Sequence, residues 1–333
     1  MKKLRIGFIG CGGVAQQHFK GIATFEDVEI AGFCDLNPEL VASTTAQYGG
    51  RGYTSHTDLF AAEELDGVYI ILPPFAHGPA ERAALERGVP FFVEKPVGND
   101  LAILQEIAQE VERTGLLTSV GYMTRYRNSV QAVRSILAED PAVMAYGGWI
   151  GGAPRGDAPI TRWWIQKHLS GGQLVEQTTH TADMARYLMG EVATVWAAAA
   201  RGFVTDIPNY TNDDASLCTL RFRSGAIATL YSACCADAPG ESKGVHFHVY
   251  SRGHTFEFSG WDQSVKMANA DGWRKEIPGE PDIFKKEDRV FLDAIRSGDG
   301  AEIRCPYPDG FQTARVTLAA NESMETGRPV ELD

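Results

Sequence analysis

The sequence predicts an α/β protein, with an N-terminal doubly wound parallel sheet followed by an α+β domain built on a large, mostly antiparallel open sheet. Three observations predict it. Short, uniformly apolar runs alternate with helical segments over the first 120 residues. A glycine-rich turn follows the first of these runs. After about Tyr122 the texture changes to longer β segments joined by short turns such as RSGA. A chain of 333 residues is too long for one ordinary core and suits two domains of roughly 100–200 residues each. The expected domains are residues 1–122 and 123–333.

The apolar runs are LRIGFIG, VEIAGFC, GVYIIL, VPFFVE and LLTSVGY. They are too short and too evenly apolar for strands with one wet face, so they are predicted as parallel strands covered on both sides. Helical spacing is found at about residues 13–23, 38–47, 76–87 and 100–114, which gives the strand–helix alternation of right-handed crossovers. Beyond Tyr122 a helix through NSVQAVRSILAE precedes a loop rich in Gly and Trp, and a second helix is predicted from about Gln173 to Leu188. The segments ASLCTLRF, AIATLYSACC and VHFHVYS follow as strands. In the first two, both alternating sets of side chains include apolar residues, so one face is expected on helices and the other on a second subunit, in a homodimer or homotetramer. The chain closes with helices through DRVFLDAIRSG and DGFQTARVTLAANESMETG.

Composition narrows the function classes. The net charge is −12, with 44% hydrophobic and 22% charged residues, and no basic run beyond MKKLR, so nucleic acid and anionic membrane surfaces are not expected partners. No apolar window approaches the roughly 20 residues of a membrane helix. MKKLRIGFIG breaks into glycines with no small-residue cleavage site behind it, so it is assigned as the first strand and the protein is expected in the cytoplasm. The six cysteines form neither a CxxC pair nor a zinc-like cluster and are expected to be reduced core residues; Cys234 and Cys235, as strand neighbours, point to opposite faces.

The first strand ends in GCGGVA, residues 10–15. Gly10 permits a tight turn, Gly12 lets the backbone approach a pyrophosphate, and the small Ala15 allows helix and strand to pack closely; Cys11, Gly13 and Val14 complete a loop whose amides face phosphates at the helix start. The second strand ends at Asp35, 25 positions after Gly10, where a carboxylate can accept from the adenosine ribose hydroxyls. It would repel a 2′-phosphate, and Leu36 and its successors supply no cation, so NAD is favoured over NADP. The competing role for Asp35 is capping the next helix.

The strand GVYIIL leads into PPFAH. Backbone at Leu72, Pro73 and Pro74 is expected beside the ribose and nicotinamide, with His77 either capping the following helix or touching the cofactor. The next strand ends in Glu94, Lys95 and Pro96, which places Lys95 at the carboxyl edge of the sheet where such folds bind ligands. In SGGQLVEQTTHTAD, Glu176 and His180 are four residues apart and are expected on one helical face. No third ligand gives that pair a metal spacing, and His246 with His248 on one strand is a weak metal alternative; no metal is assigned.

GCGGVA, Asp35, PPFAH, EKP, GYMTRYR, the GG…E…H…D segment and the closing FLDAIRSGD…ESMETGRPV together resemble the Gfo/Idh/MocA oxidoreductase family over nearly the whole chain. The resemblance implies an N-terminal Rossmann domain, a C-terminal sheet used in oligomerisation, and hydride transfer with carbohydrates or polyols. By position it implies Lys95 and His180 as catalytic residues, with Glu176 as acid partner. Glu94 and Lys95 also fall beside the cofactor. Arg125 falls where members contact substrate or nicotinamide, and Trp163 and Trp164 either wall the sugar site or are simply core. Members commonly carry aspartate where Glu176 stands. Lys95 or His180 is the principal acid/base. Cleavage of glycosides through transient oxidation, and a non-catalytic NAD-dependent sensor, are the alternative functions.

Overall fold

The computed structural model describes residues 2–240 and 243–333. The chain begins with β1 (Leu4–Ile9), α1 (Ala15–Ile22), β2 (Val28–Cys34), α2 (Pro38–Tyr48), β3 (Arg51–Tyr53), α3 (His56–Ala62), β4 (Gly67–Ile70), α4 (Pro79–Arg87), β5 (Phe91–Val93), α5 (Leu101–Thr114) and β6 (Thr118–Val120). The six strands form one parallel sheet in the order β3-β2-β1-β4-β5-β6. The reversal of strand order at β1 and β4 is the topological switch point of a doubly wound Rossmann sheet.

Its core is an aromatic row across four strands. Phe33, Phe8, Tyr69 and Phe92 are register neighbours and stack at centroid distances of 5.7, 4.9 and 4.9 Å. Phe19 of α1 meets Phe8 edge-on at 4.8 Å. All five are fully buried, each stabilising the fold by about 1.5–3 kcal/mol relative to an exposed ring.

The chain continues through α6 (Asn128–Leu137), β7 (Ala142–Ile150), α7 (Pro159–Trp164), α8 (Lys167–Ser170), α9 (Gln173–Glu176), α10 (Thr179–Met189), β8 (Val192–Ala200), β9 (Ala215–Phe222), β10 (Ile227–Ala233), β11 (Gly244–Ser251), β12 (His254–Ser259), β13 (Ser264–Asn269) and β14 (Arg274–Ile277). It ends in α11 (Ile283–Ser297), α12 (Tyr307–Thr326) and β15 (Val330–Glu331). The second sheet has nine strands, ordered β14-β13-β12-β11-β7-β10-β9-β8-β15, antiparallel at every pairing except β7 with β10. One face is core: Val195, Leu220, Ala228, Ala145, Val249, Phe256 and Met267 form a buried row in register, covered by apolar residues of α6, α10 and α12. On the opposite face Trp196, Leu217, Ile227, Met144 and Tyr146 are exposed.

The chain forms two compact units, Met1–Met123 with Asp282–Phe311, and Thr124–Pro281 with Gln312–Asp333. The expected second domain, 123–333, is therefore not continuous. Helix α11 returns to the first unit because Phe291 packs on Tyr69 and Phe92 at 5.6 and 5.9 Å. Arg289 and Arg296 also bind Asp27, at 3.0 and 2.9 Å.

Candidate functional site

At the end of β1, Gly10 turns the chain at φ +99°, and a Cβ there would lie 1.9 Å from the Ile71 carbonyl oxygen. Only glycine fits. Gly12 and Gly13 are exposed, and a Cβ on either would meet nothing within 4 Å. The outer side of the turn is open backbone. Val14 caps α1 without a side-chain hydrogen bond, and Ala15 is buried against the sheet, so the first amides of the helix have no side-chain cap. The Asp35 Oδ2 accepts the Cys11 amide at 2.9 Å, and its Oδ1 accepts the Asn37 amide at 2.9 Å.

Asp35 therefore braces the glycine turn. The cap of α2 is Asn37, whose side-chain oxygen accepts from Glu39 and Leu40. Leu36 projects into solvent, 90% exposed. Burial, with Asp35 and Cys34 nearby, pushes the Cys11 thiol up to about 12, so this cysteine is a packing residue and not a nucleophile. An open glycine turn, an uncapped helix start and a carboxylate on the neighbouring strand fit the pyrophosphate and ribose of a dinucleotide.

Beyond β4, Leu72 and Pro73 precede a short 3₁₀ turn at Pro74–Ala76. The two possibilities for His77 resolve towards the fold. Its Nδ1 lies 2.6 Å from Glu81 Oε1 and its Nε2 3.1 Å from the Leu72 carbonyl, so both ring nitrogens are engaged and neither is presented to a cofactor. Glu94, expected beside the cofactor, is also corrected: it is 4% exposed. One of its oxygens faces His18 Nε2 at 3.1 Å, and the other accepts the Lys95 amide at 2.9 Å. Lys95 is half-buried and stands at the carboxyl end of β5, followed by a cis peptide bond to Pro96.

In the second unit the predicted helix from Gln173 to Leu188 is two helices. Gln177 and Thr178 separate α9 from α10, and the Thr178 amide reaches back five residues to the Gln173 carbonyl at 2.9 Å, a widened π-type turn. The run Thr178, Thr179, His180, Thr181 explains the weak point, since β-branched threonines lose χ1 freedom in a helix. Glu176 closes α9 and His180 lies in the first turn of α10, so the regular four-residue spacing on one face does not hold.

Glu176 is buried, and its Oε2 accepts the Trp164 indole N–H at 2.5 Å. Trp164 and the half-buried Trp163 belong to an apolar cluster with Trp149, Ile165, Ile207, Tyr210 and Cys234. His180 is half-buried and meets Trp261 edge-on at 5.8 Å, in a small hollow also lined by Thr124, Met184 and Gln263.

Arg125 does not take the substrate-contacting position the resemblance implies. It is 2% exposed, clasps Asp183 through Nε and Nη2 at 2.9 and 2.7 Å, and lies over the Tyr187 ring. It is an internal anchor. His248 stacks on Tyr146 at 4.8 Å, and neither it nor His246 belongs to a three-ligand group among the described residues. The group found there, His18, Glu94 and Glu287, was not anticipated. His18 offered only the pattern of a core histidine, and Glu287 lies in a distant helix.

A glycine turn of this build at the switch point of a six-stranded parallel sheet defines a dinucleotide-binding α/β protein. Residues 4–122 match the oxidoreductase family with NAD-binding Rossmann fold, and residues 148–260 match the GFO/IDH/MocA C-terminal domain. The chain belongs to the Gfo/Idh/MocA oxidoreductase family. It is 23% identical to myo-inositol 2-dehydrogenase of Thermotoga maritima over 99% of both chains. It is 27% identical to scyllo-inositol 2-dehydrogenase (NAD(+)) of Bacillus subtilis over 81% of this chain and 78% of that one. The fold superposes with a TM-score of 0.81 on scyllo-inositol dehydrogenase of Lactobacillus casei, solved with NAD(H) and scyllo-inositol, at 19% identity over 99% of each chain. No helix among the described residues is long and apolar enough to cross a membrane.

Proposed function

We propose that this protein is an NAD-dependent dehydrogenase or reductase acting on a secondary alcohol of a sugar, sugar acid or cyclitol. The observation that carries the cofactor is the open turn at Gly12 and Gly13 with the Asp35 carboxylate beside it. Relatives named as inositol dehydrogenases support the choice of a sugar or cyclitol alcohol as the substrate class. Gly10 to Ala15 would hold the pyrophosphate and Asp35 the adenosine ribose; a carboxylate there disfavours a 2′-phosphate, which supports NAD over NADP. NAD, when bound, supplies the hydride acceptor.

The chain's own residues supply binding and proton chemistry. His180 is the proposed general base that takes the hydroxyl proton, and Lys95 the proposed hydrogen-bond donor that stabilises developing negative charge in the reaction. Glu176 acts as a positioning group through Trp164. The exposed face of the nine-stranded sheet joins copies into a homo-oligomer.

The deciding experiment is a panel of sugars, sugar acids, inositols and glycosides with NAD+ and NADP+, followed by nicotinamide absorbance and product mass. NADH should accumulate with at least one polyol or sugar, and both Lys95→Ala and His180→Ala should abolish turnover while retaining NAD+ binding. A clear preference for NADP+ overturns the Asp35 assignment. Cleavage of a glycoside with no net NADH overturns the dehydrogenase reading.

A further inference from the structure

Behind Lys95 the first unit buries a chain of titratable groups. His18, on the inner side of α1, is fully buried; its Nδ1 lies 2.7 Å from Asp288 Oδ1 of α11 and its Nε2 3.1 Å from Glu94 Oε1. Ionised carboxylates only accept, so the imidazole serves both by donating from both nitrogens, as imidazolium. Burial opposes that charge, yet Asp288 and Glu94 together raise the His18 pKa well above its ordinary value. Burial also raises the Asp288 carboxyl, with His18 pulling it back.

Glu94 passes this order on. Its second oxygen accepts the Lys95 backbone N–H at 2.9 Å, and its own amide donates to the Ile70 carbonyl at 2.9 Å. The side chain has a reserved space: a Cβ on Gly121 would come within 2.6 Å of Oε1. A continuous series of hydrogen bonds thus runs from α11 through α1 to the backbone from which the lysine side chain departs.

A divalent cation is the competing occupant, because His18, Glu94 and Glu287 bring ligand atoms within 4.8 Å of one another. A metal requires a deprotonated ring nitrogen directed at it. Here both nitrogens already face carboxylate oxygens at hydrogen-bond distance, which favours a proton.

We propose that His18 and Asp288 are positioning residues that lock Glu94 and, through it, the Lys95 backbone for hydride transfer. The inference rests on Lys95 taking part in the reaction proposed above. A lysine side chain is long and flexible, so what the fold can fix is its base, and a displacement of about 1 Å at a reacting group costs about 100-fold in rate.

The test compares His18→Gln, Asp288→Asn, Glu94→Ala and Glu94→Gln with Lys95→Ala, using the NAD+-oxidised substrate from the panel. Thermal melting, NAD+ binding and hydrogen exchange resolved at the Lys95 amide are measured beside kcat and KM. His18→Gln and Glu94→Ala should speed exchange at that amide about tenfold or more. The same variants should lower kcat about 10–100-fold, with KM and NAD+ affinity within about threefold. Glu94→Gln should restore both protection and most of kcat, because its amide oxygen still accepts from Lys95; Asp288→Asn should be intermediate.

Should His18→Gln fail to fold, the contrast between Glu94→Ala and Glu94→Gln decides the question. Unchanged exchange at Lys95 overturns the proposal. So does one bound zinc or manganese per chain, found by elemental analysis of the wild-type protein and lost in His18→Gln. Loss of turnover in Lys95→Ala with normal turnover in the His18, Asp288 and Glu94 variants removes the positioning role alone. Full activity of Lys95→Ala overturns the reaction assignment itself.

Discussion

The indole N–H of Trp164 donates to Oε2 of Glu176 at 2.5 Å, with both side chains buried. A carboxylate one methylene shorter would sit about one bond length, roughly 1.5 Å, further from that indole. The longer side chain is thus matched to the tryptophan, and the departure from the family's usual aspartate has a local structural partner. Glu176→Asp should lose this bond and cost about 1.5–3 kcal/mol, as for other hydrogen bonds to a charged group. Trp164→Phe should cost a similar amount, and the double variant little more than either, since both remove the same interaction. Chemical denaturation of the three variants checks this; fully additive losses would show that the two residues act independently.

The Arg125–Asp183 pair is the buried ion pair whose loss should be felt most by the second unit. Asp183 is fully buried and also accepts from Thr313 at 2.9 Å, so removing it strands a guanidinium away from water. Asp183→Ala should destabilise the protein by about 3–5 kcal/mol. Arg125→Met, which removes the charge but retains much of the stem, should reduce the loss when combined with Asp183→Leu. Urea unfolding followed by circular dichroism reads both, and a loss below about 1 kcal/mol for Asp183→Ala would place the pair with solvent-screened surface bridges.

Gly10 and Gly12 separate folding from cofactor binding. A side chain at Gly10 collides with the Ile71 carbonyl, whereas one at Gly12 has open space around it. Gly10→Ala should therefore lower the melting temperature and leave little folded protein. Gly12→Val should fold with a near-native melting temperature while weakening NAD+ binding about tenfold or more, or about 1.4 kcal/mol. Isothermal titration with NAD+ distinguishes them, and native affinity in Gly12→Val would move the pyrophosphate away from this turn.

What was legible in the sequence was what is encoded locally. The apolar runs marked five of the six parallel strands, because strands covered on both faces have no polar alternation to hide them. The missing strand, β3, is three residues with two exposed. The neighbouring α3 was missed with it. The strand β7 was obscured by its glycines and by exposed Val143 and Met144 at one end. The glycine turn was readable because its geometry depends on a few adjacent residues, whereas the bracing of that turn by Asp35, whose competing role as helix cap falls to Asn37, depends on a strand-to-strand contact. The break between α9 and α10 was not, because a helical period continues across it while the threonines weaken the helix. The contact of His18 with Asp288 spans 270 residues, and no local pattern joins them.

The outer face of the nine-stranded sheet carries the last prediction. Leu217 and Tyr231 are register neighbours, as are Ile227 and Met144, and Thr229 and Tyr146. Leu217, Ile227 and Met144 are 55%, 48% and 43% exposed. Their β-neighbours in the chain point the other way, into the core through Cys218, Ala228 and Ala145, so charges placed on the outer face leave that core intact. A broad apolar face of this kind is larger than single scattered hydrophobes explain, and a second copy covering it would bury about 1,200–2,000 Å² or more. The combined change Leu217→Asp and Ile227→Asp should convert a dimer or tetramer to monomer at micromolar concentration with the far-ultraviolet circular dichroism spectrum unchanged. Sedimentation equilibrium reads the result: a wild-type protein that is already monomeric, or a variant that keeps the wild-type mass, assigns the face to something other than self-association.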